Sequence, residues 1–371
     1  MLTSKSQESP CSHVTDGVSE SPLVVISILN WNGWQDTLEC LESVRRLDYP
    51  NYLTVVIDNG SWNGSADKIK DWGEENLGPG HVLADYTRET ALAGGIPETE
   101  QALDRVASPA RLVLMRNEEN LGFTGGNNVS IHYALHRSKA ADYVFLLNND
   151  AKPDPDSLSQ LVQVDHDADA GIIGASILDR DGKQSLFAGR APMLHQFFSP
   201  LTKWQLPPPK TQNAFWHSFY VSGSAMLVQR SVLLSVLRMH GEYLKASLFM
   251  YADEIVLSSR AHKAGHQSVV AAKAFVRHDK AASSGGLKNP LVYYYPTRNM
   301  IHAAGEVLPF RWRALFYLVN APLCLVRVAR KLAKGDPRAG WAIMHGLIDG
   351  YRGVGGKWKH HDQEVRRRAA S

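Results

Sequence analysis

The run Tyr143-Val144-Phe145-Leu146-Leu147 ends on Asn148-Asn149-Asp150, and no other feature constrains this chain more. Five apolar residues without a polar break read as a strand covered on both faces, as in a parallel sheet. A strand that leaves its core on an acidic tip puts a metal or phosphate ligand at the sheet's carboxyl edge, where open α/β sheets bind their ligands. Three further segments belong beside it: Val56-Ile57-Asp58-Asn59, the stretch Asn120-Leu121-Gly122-Phe123-Thr124-Gly125-Gly126-Asn127-Asn128, and Asp253-Glu254 followed by His278.

Apolar runs alternate with helical patterns along the chain, which predicts βαβ units and a mainly parallel sheet. Leu23 to Leu29 is the first strand, and Leu38, Leu41, Val44 and Leu47 give the helix that lies on it. Leu53 to Ile57, Arg111 to Met115 and Tyr143 to Leu147 are further strands. Residues 76–110, dense in Gly, Pro, Glu and Thr with little periodicity, read as an inserted surface loop. Beyond Asp150 the pattern predicts a short helix from Asp156 to Val164, a strand from Gly171 to Leu178 and a Pro- and aromatic-rich region to about residue 217. Strand character resumes from Phe219 to Val228, a helix runs from Ile255 to Ala264, and a strand from Val269 to Val276 leads to His278.

A length of 371 residues with 44% hydrophobic content is enough for one large domain with appendages. The expected division is a flexible leader over 1–21, a catalytic domain over 22–305, and a helical basic extension over 306–371. Three scattered cysteines, Cys11, Cys40 and Cys324, make neither a disulfide framework nor a zinc site, and imply a reducing, cytoplasmic setting. The leader is Ser-rich without an apolar core, unlike a signal peptide. Residues 306–371 hold 13 Lys/Arg against 5 Asp/Glu while the whole chain is only +3, so the catalytic part is net acidic. That balance, with no aromatic-interleaved basic patch, argues against nucleic acid as a partner.

Within the extension, Ala314 to Val319 leads through Asn320 and Pro322 to Leu323-Cys324-Leu325-Val326, flanked by Arg311, Arg313, Arg327, Arg330 and Lys331. The apolar stretch falls short of the roughly 20 residues of a spanning helix. Two readings stand: an interfacial element drawn to an anionic membrane surface, peripheral on the inner face of the cell membrane, or a core helix packed on the main domain.

The chemistry open to each candidate follows from its side chain. Asp58 can accept the imide N–H of a uracil or thymine, with Asn30 and Asn32 offering donors and acceptors nearby, or it can be a turn residue. The glycines of Gly122-Phe123-Thr124-Gly125-Gly126-Asn127 can let backbone amides approach a diphosphate at a helix start, or can form a simple helix-entry turn. Asp150 offers the hard oxygen that Mg or Mn prefers. Asp253 and Glu254 open a helix and can serve either as acid–base groups or as caps. Tyr293, Tyr294, Arg298 and Asn299 can position a diphosphate or an acceptor, Arg298 by its forked cation, or can form a packing stripe.

These segments, in this order, resemble the family 2 glycosyltransferases of the GT-A fold, in the branch that contains bacterial rhamnosyltransferases. The resemblance covers about residues 22–305 and rests on Ile28-Leu29-Asn30-Trp31-Asn32, Asp58-Asn59-Gly60-Ser61, the Asn120 to Asn128 segment, Asn148-Asn149-Asp150, Val221-Ser222-Gly223-Ser224, Asp253-Glu254, His278 and Tyr293 to Asn299. It implies a GT-A-type α/β nucleotide-binding sheet flanked by helices and an inverting, metal-dependent transferase. Glu254 would be the catalytic base with Asp253 beside it, or, since Glu for Asp lengthens the reach by one methylene, Asp253 would take that role; Asp150 and His278 would hold Mg or Mn. Asn30, Asn32, Asp58, Asn120, Gly122, Phe123, Gly125, Asn127, Asn148, Asn149 and Arg298 would bind a nucleotide-sugar donor. The implied donor is a pyrimidine nucleoside-diphosphate sugar, rhamnose first. The acceptor is a glycan or polyprenyl-linked saccharide of surface polysaccharide. Two departures qualify this: Asn148 stands where the family commonly has an acid, and Val256 replaces a frequent third acid. A non-catalytic sugar-nucleotide or glycan-binding protein and a nucleotidyltransferase are the alternatives.

Overall fold

The first strand decides the architecture. In Val24–Asn30, Val24, Ile26 and Ile28 enter one apolar layer and Val25 the other, so both faces need helical cover. The computed structural model describes residues 21–179, 181–184, 197, 213–278 and 289–359. The leader and most of the Pro- and aromatic-rich region lie outside the described residues.

The elements run β1 (Val24–Asn30), α1 (Trp34–Val44), β2 (Tyr52–Asn59), α2 (Ser65–Asn76), β3 (Val82–Thr87), α3 (Arg88–Leu92), α4 (Pro97–Arg105), β4 (Arg111–Asn117), α5 (Gly122–His136), β5 (Tyr143–Asn148), β6 (Ala151–Pro153) and α6 (Ser157–Ala168). They continue with β7 (Gly171–Leu178), β8 (Phe215–His217), β9 (Ala225–Gln229), α7 (Arg230–His240), α8 (Asp253–Lys263), β10 (Gln267–His278), α9 (Leu291–Val307), α10 (Phe310–Ala333) and α11 (Pro337–Tyr351). Ten strands form one sheet in the order β3-β4-β2-β1-β5-β9-β7-β10-β6, with β8 paired to β10.

The sheet is mainly parallel, as expected, but it is mixed. β9 runs antiparallel between β5 and β7, and β6 runs antiparallel to β10. The second of these pairings matters most for function. The chain leaves β5 at Asn148, turns through Asp150 and enters β6, whose Ala151 is in register with His278 at the end of β10. Two residues 128 positions apart in sequence are thereby brought to one corner of the sheet.

Residues 76–110 are not a loop. They supply β3, parallel to β4 at the sheet edge, and the helices α3 and α4. Ala84, Tyr86, Ala91 and Leu103 join one apolar layer, and Glu100 of α4, buried against Arg137 (2.8 Å) after α5, accepts hydrogen bonds from the Tyr86 and Tyr133 hydroxyls. The strand expected from Phe219 begins only at Ala225, because Ser222 and Ser224 bond hydroxyl to hydroxyl and turn the chain. The apolar stretch of the extension lies in a continuous 24-residue helix, α10, that carries on through Pro322 and is long and apolar enough to cross a membrane by length and composition alone.

Candidate active site

The carboxyl ends of β1, β2 and β5, the turn into β9 and the end of β10 meet along one sheet edge. At the β1–β2 end, Asn30 Nδ2 donates to Asp58 Oδ1 (2.7 Å) and Ser61 N donates to Asp58 Oδ2 (3.0 Å). Each carboxylate oxygen keeps a lone pair for a further donor. Asn30 is fully buried, and its carbonyl accepts from Thr37 and Gly33, so it aims Asp58 and does not itself face a ligand. Asn32, at φ 57°, receives Trp62 N on its side-chain carbonyl. Beside it two exposed rings, Trp31 and Trp62, meet edge to face, centroids 5.3 Å apart. Motif reading passed over Trp62; an exposed aromatic after a strand-end Asp was the signal available.

At the β5–β10 corner His278 Nε2 lies 3.0 Å from Asp150 Oδ1 and 3.3 Å from Asn148 Nδ2. A carboxylate oxygen and an imidazole nitrogen converging on one point fit a divalent cation that draws its other ligands from a diphosphate. Among the described residues no three His, Cys, Asp or Glu side chains cluster into a closed cage, so the protein alone offers an open site. Asn149 points the other way, donating to Gly33 O and Thr37 Oγ1.

The acid pair faces this corner across the turn before β9. Asn148 N donates to Ser224 O (3.0 Å), and a Cβ at Gly223 would stand 3.6 Å from Asp253 Oδ2. Asp253 is buried, while Glu254 retains some exposure. Neither caps α8, whose N-cap is Ala252 with no side-chain cap bond. Burial raises both carboxyls above their ordinary range, and the charge of Asp253 raises Glu254 further, to about 8. Burial, and secondarily Glu254, also pushes up the neighbouring phenol of Tyr220, which motif reading missed.

Several residues expected at the ligand are scaffold. Asn127 spans Ser27 and Phe123 O, joining α5 to β1. Asn120 accepts from Gly122 N and Asn59, and Thr124 N is taken by Phe249 O. Thus two of the first amides of α5 are already engaged. Gly122 (φ 73°) is required because a Cβ there would lie 2.4 Å from Phe249 O; Gly125 faces Leu121, and Phe123 packs on the core. Arg298 is wholly buried, its fork spent on the carbonyls of Ser247, Leu248 and Gly356. It makes no phosphate site.

The family model described as "Glycosyltransferase like family 2" matches residues 95–290, just over half of the chain. The chain belongs to that family. The chain is also 28% identical over 145 residues to the low-salt glycan biosynthesis hexosyltransferase Agl10 of Haloferax volcanii, a match spanning 39% of the chain and 44% of that relative. Among solved structures it resembles the mannosyltransferase PcManGT of Pyrobaculum calidifontis, solved with GDP-Man and Mn2+. The TM-score is 0.53 at 13% identity, over 90% of this chain and 88% of the other. TarS 1-349 of S. aureus aligns with TM-score 0.48 at 12% identity, covering 88% and 80%. The fold is GT-A: a central sheet flanked by helices, with helices added at the C-terminal end.

Proposed function

We propose that this glycosyltransferase moves a hexose, with inversion, from a nucleoside-diphosphate donor to a glycan hydroxyl. What carries the reading is the pairing, across one sheet edge, of the Asp150–His278 contact with a raised, partly exposed carboxyl at Glu254. Asp58 takes the imide N–H of a pyrimidine. Trp31 and Trp62 flank that end of the cleft. Asp150 and His278 would hold a divalent cation, which when bound offsets the charge gathering on the departing diphosphate; the Mn2+ of the mannosyltransferase supports that choice. Glu254 accepts the proton of the acceptor hydroxyl as its oxygen attacks the anomeric carbon from the face opposite the diphosphate, and Asp253 keeps Glu254 basic.

For the donor, deoxythymidine-diphosphate rhamnose is the first choice and a uridine-diphosphate hexose the second. The acceptor is a polyprenyl-linked saccharide of surface polysaccharide, presented at an anionic membrane face beside the basic extension. The test is nucleoside diphosphate release from a panel of pyrimidine and purine sugar nucleotides, with Mn2+ or Mg2+ and then chelator, in wild type, Asp150→Ala and Glu254→Gln. Metal-dependent release from one pyrimidine donor, reduced about 10²-fold or more in both variants, is expected. Release undiminished in both variants would sink the assignment. Nucleotide binding with no release, even with lipid-linked acceptors added, would mark a binding protein instead.

A further inference from the structure

The chain reaches Asp253 through a backbone that L-residues rarely adopt. Phe249 (φ 66°), Tyr251 (φ 67°) and Ala252 (φ 64°) all lie in the left-handed region, and none is glycine. Ala252 is the N-cap of α8, so these three residues set where the helix begins and where Asp253 and Glu254 point. Conformations of this kind persist only when the surroundings impose them.

The imposing groups are Arg298 and Asn299 of α9, both without exposure. Asn299 Nδ2 donates to Leu248 O (2.9 Å), Met250 O (2.6 Å) and Tyr251 O (3.0 Å), and Arg298 Nη2 to Leu248 O (2.8 Å) and Ser247 O (3.3 Å). Arg298 Nε fixes the amide by donating to Asn299 Oδ1 (2.8 Å). The guanidinium is held over the rings of Tyr294 and Tyr295. Four loop carbonyls therefore converge on two side chains, which leaves the loop one conformation.

The far wall comes from the end of the extension. Arg298 Nη1 donates to Gly356 O (2.6 Å), Gly356 N donates to Ser247 O (2.6 Å), and Trp358 stacks on Tyr294 with centroids 4.2 Å apart. A Cβ at Gly355 would stand 2.8 Å from Ser247 Cβ. On its other side the loop gives Phe249 O to Thr124 N of α5. One loop thus contacts the glycine segment, the acid pair and the C-terminal segment.

We infer that Arg298 and Asn299, closed over by residues 355–358, are positioning residues that set the aim of Asp253 and Glu254 into the cleft. The catalytic half of this inference rests on the transferase reading; the structural half does not. Arg298→Lys keeps the cation but cannot fork between two strands of carbonyls, and Trp358→Leu removes the stack from outside the cleft.

Hydrogen exchange on the full-length protein is the first measurement. Both variants should exchange the 247–257 peptide about tenfold faster or more while β1, β2 and β5 keep their protection. Unchanged protection in a folded variant would overturn the inference; should Arg298→Lys not fold, Trp358→Leu decides it. In nucleoside diphosphate release, Arg298→Lys should lower kcat about tenfold with donor KM within about twofold, and should cost nothing further in a Glu254→Gln background. Losses that multiply in that double variant would mean general destabilisation and reject the positioning role. A wild type that releases nothing from any donor would fail the transferase reading, and the exchange result would still decide the brace.

Discussion

At the residue scale the most informative carboxyl is Glu254, because its position asks for opposite things from stability and from catalysis. Burial and the charge of Asp253 disfavour its ionised form, pushing it from 4.5 to about 8. Protonated Glu254 is at ease in the folded protein, so its contribution is fully present below its unfolded value and is lost as pH rises through about 8. Glu254→Gln should therefore melt higher than wild type at pH 9, by on the order of 2 kcal/mol, and the gain should vanish near pH 4. Melting curves across that range check the sign; a variant less stable than wild type at pH 9 would contradict the burial argument. The same substitution should cost about 10²–10⁴ in kcat with little change in donor KM. In wild type, kcat should climb with pH toward about 8 as the base form accumulates. An acidic limb near the ordinary carboxylate range would show that another group takes the proton.

At the element scale the sheet edge is stable because side chains tie strands that pair only through a neighbour, and α4 is the clearest case. The Glu100–Arg137 pair is buried on both sides, with Arg137 also holding Asp104 (2.7 Å) and two tyrosine hydroxyls donating to Glu100. Removing one partner of such a pair leaves the other charged and desolvated, so Glu100→Ala should cost about 3–5 kcal/mol in denaturant unfolding. Far from the cleft, it should leave donor KM unchanged at temperatures where the variant is folded. This network also explains what the sequence could not disclose. β1, β5, β7 and α6 bury apolar faces whose period lies within a short window, and all four were legible. α4 is tied by an ion pair to a residue 37 positions on, which no local pattern records, and α3, at five residues, is too short to show a period. The candidate site divides in the same way. Asp58, Asp150, His278, Asp253 and Glu254 reach one sheet edge because each follows or opens an element that the pattern displays. Asn30, Asn127, Asn149 and Arg298 carry the right donors, but a buried backbone carbonyl uses the same donors as a phosphate oxygen, and only packing tells them apart.

At the scale of the whole molecule the question is what the extension faces. α10 has five basic residues and no acidic one, and at 1.5 Å per residue it is about 36 Å long. Its inner face is committed: Phe316, Cys324 and Val328 are buried, Lys331 Nζ donates to Tyr293 OH (2.8 Å), and Tyr351 OH of α11 donates to Tyr317 O (2.6 Å). A helix fastened to its protein along one side is poorly placed to cross a bilayer, although its length and composition would allow it. Its outer face repeats at threes and fours through Leu315, Leu318, Pro322, Leu325, Ala329 and Leu332, all exposed, with Leu318 at 74%. An apolar stripe between basic ends is the form of a helix lying in the membrane interface, where each basic residue adds about 1 kcal/mol against an anionic surface. The expected outcome is co-sedimentation of the full-length protein with phosphatidylglycerol-containing vesicles, weakened by salt and weaker still on purely zwitterionic ones. Leu318→Asp with Leu325→Asp should reduce that binding about tenfold or more, since both the apolar area and the charge balance change. Deleting the extension is the wrong experiment. It would also take Glu306, which pairs with Arg260 and Lys245 (2.6 Å), and Trp358, which backs the loop before the acid pair. Vesicle binding untouched by the double substitution would return α10 to the role of a packing helix; binding lost while nucleoside diphosphate release persists would separate the membrane surface from the chemistry it serves.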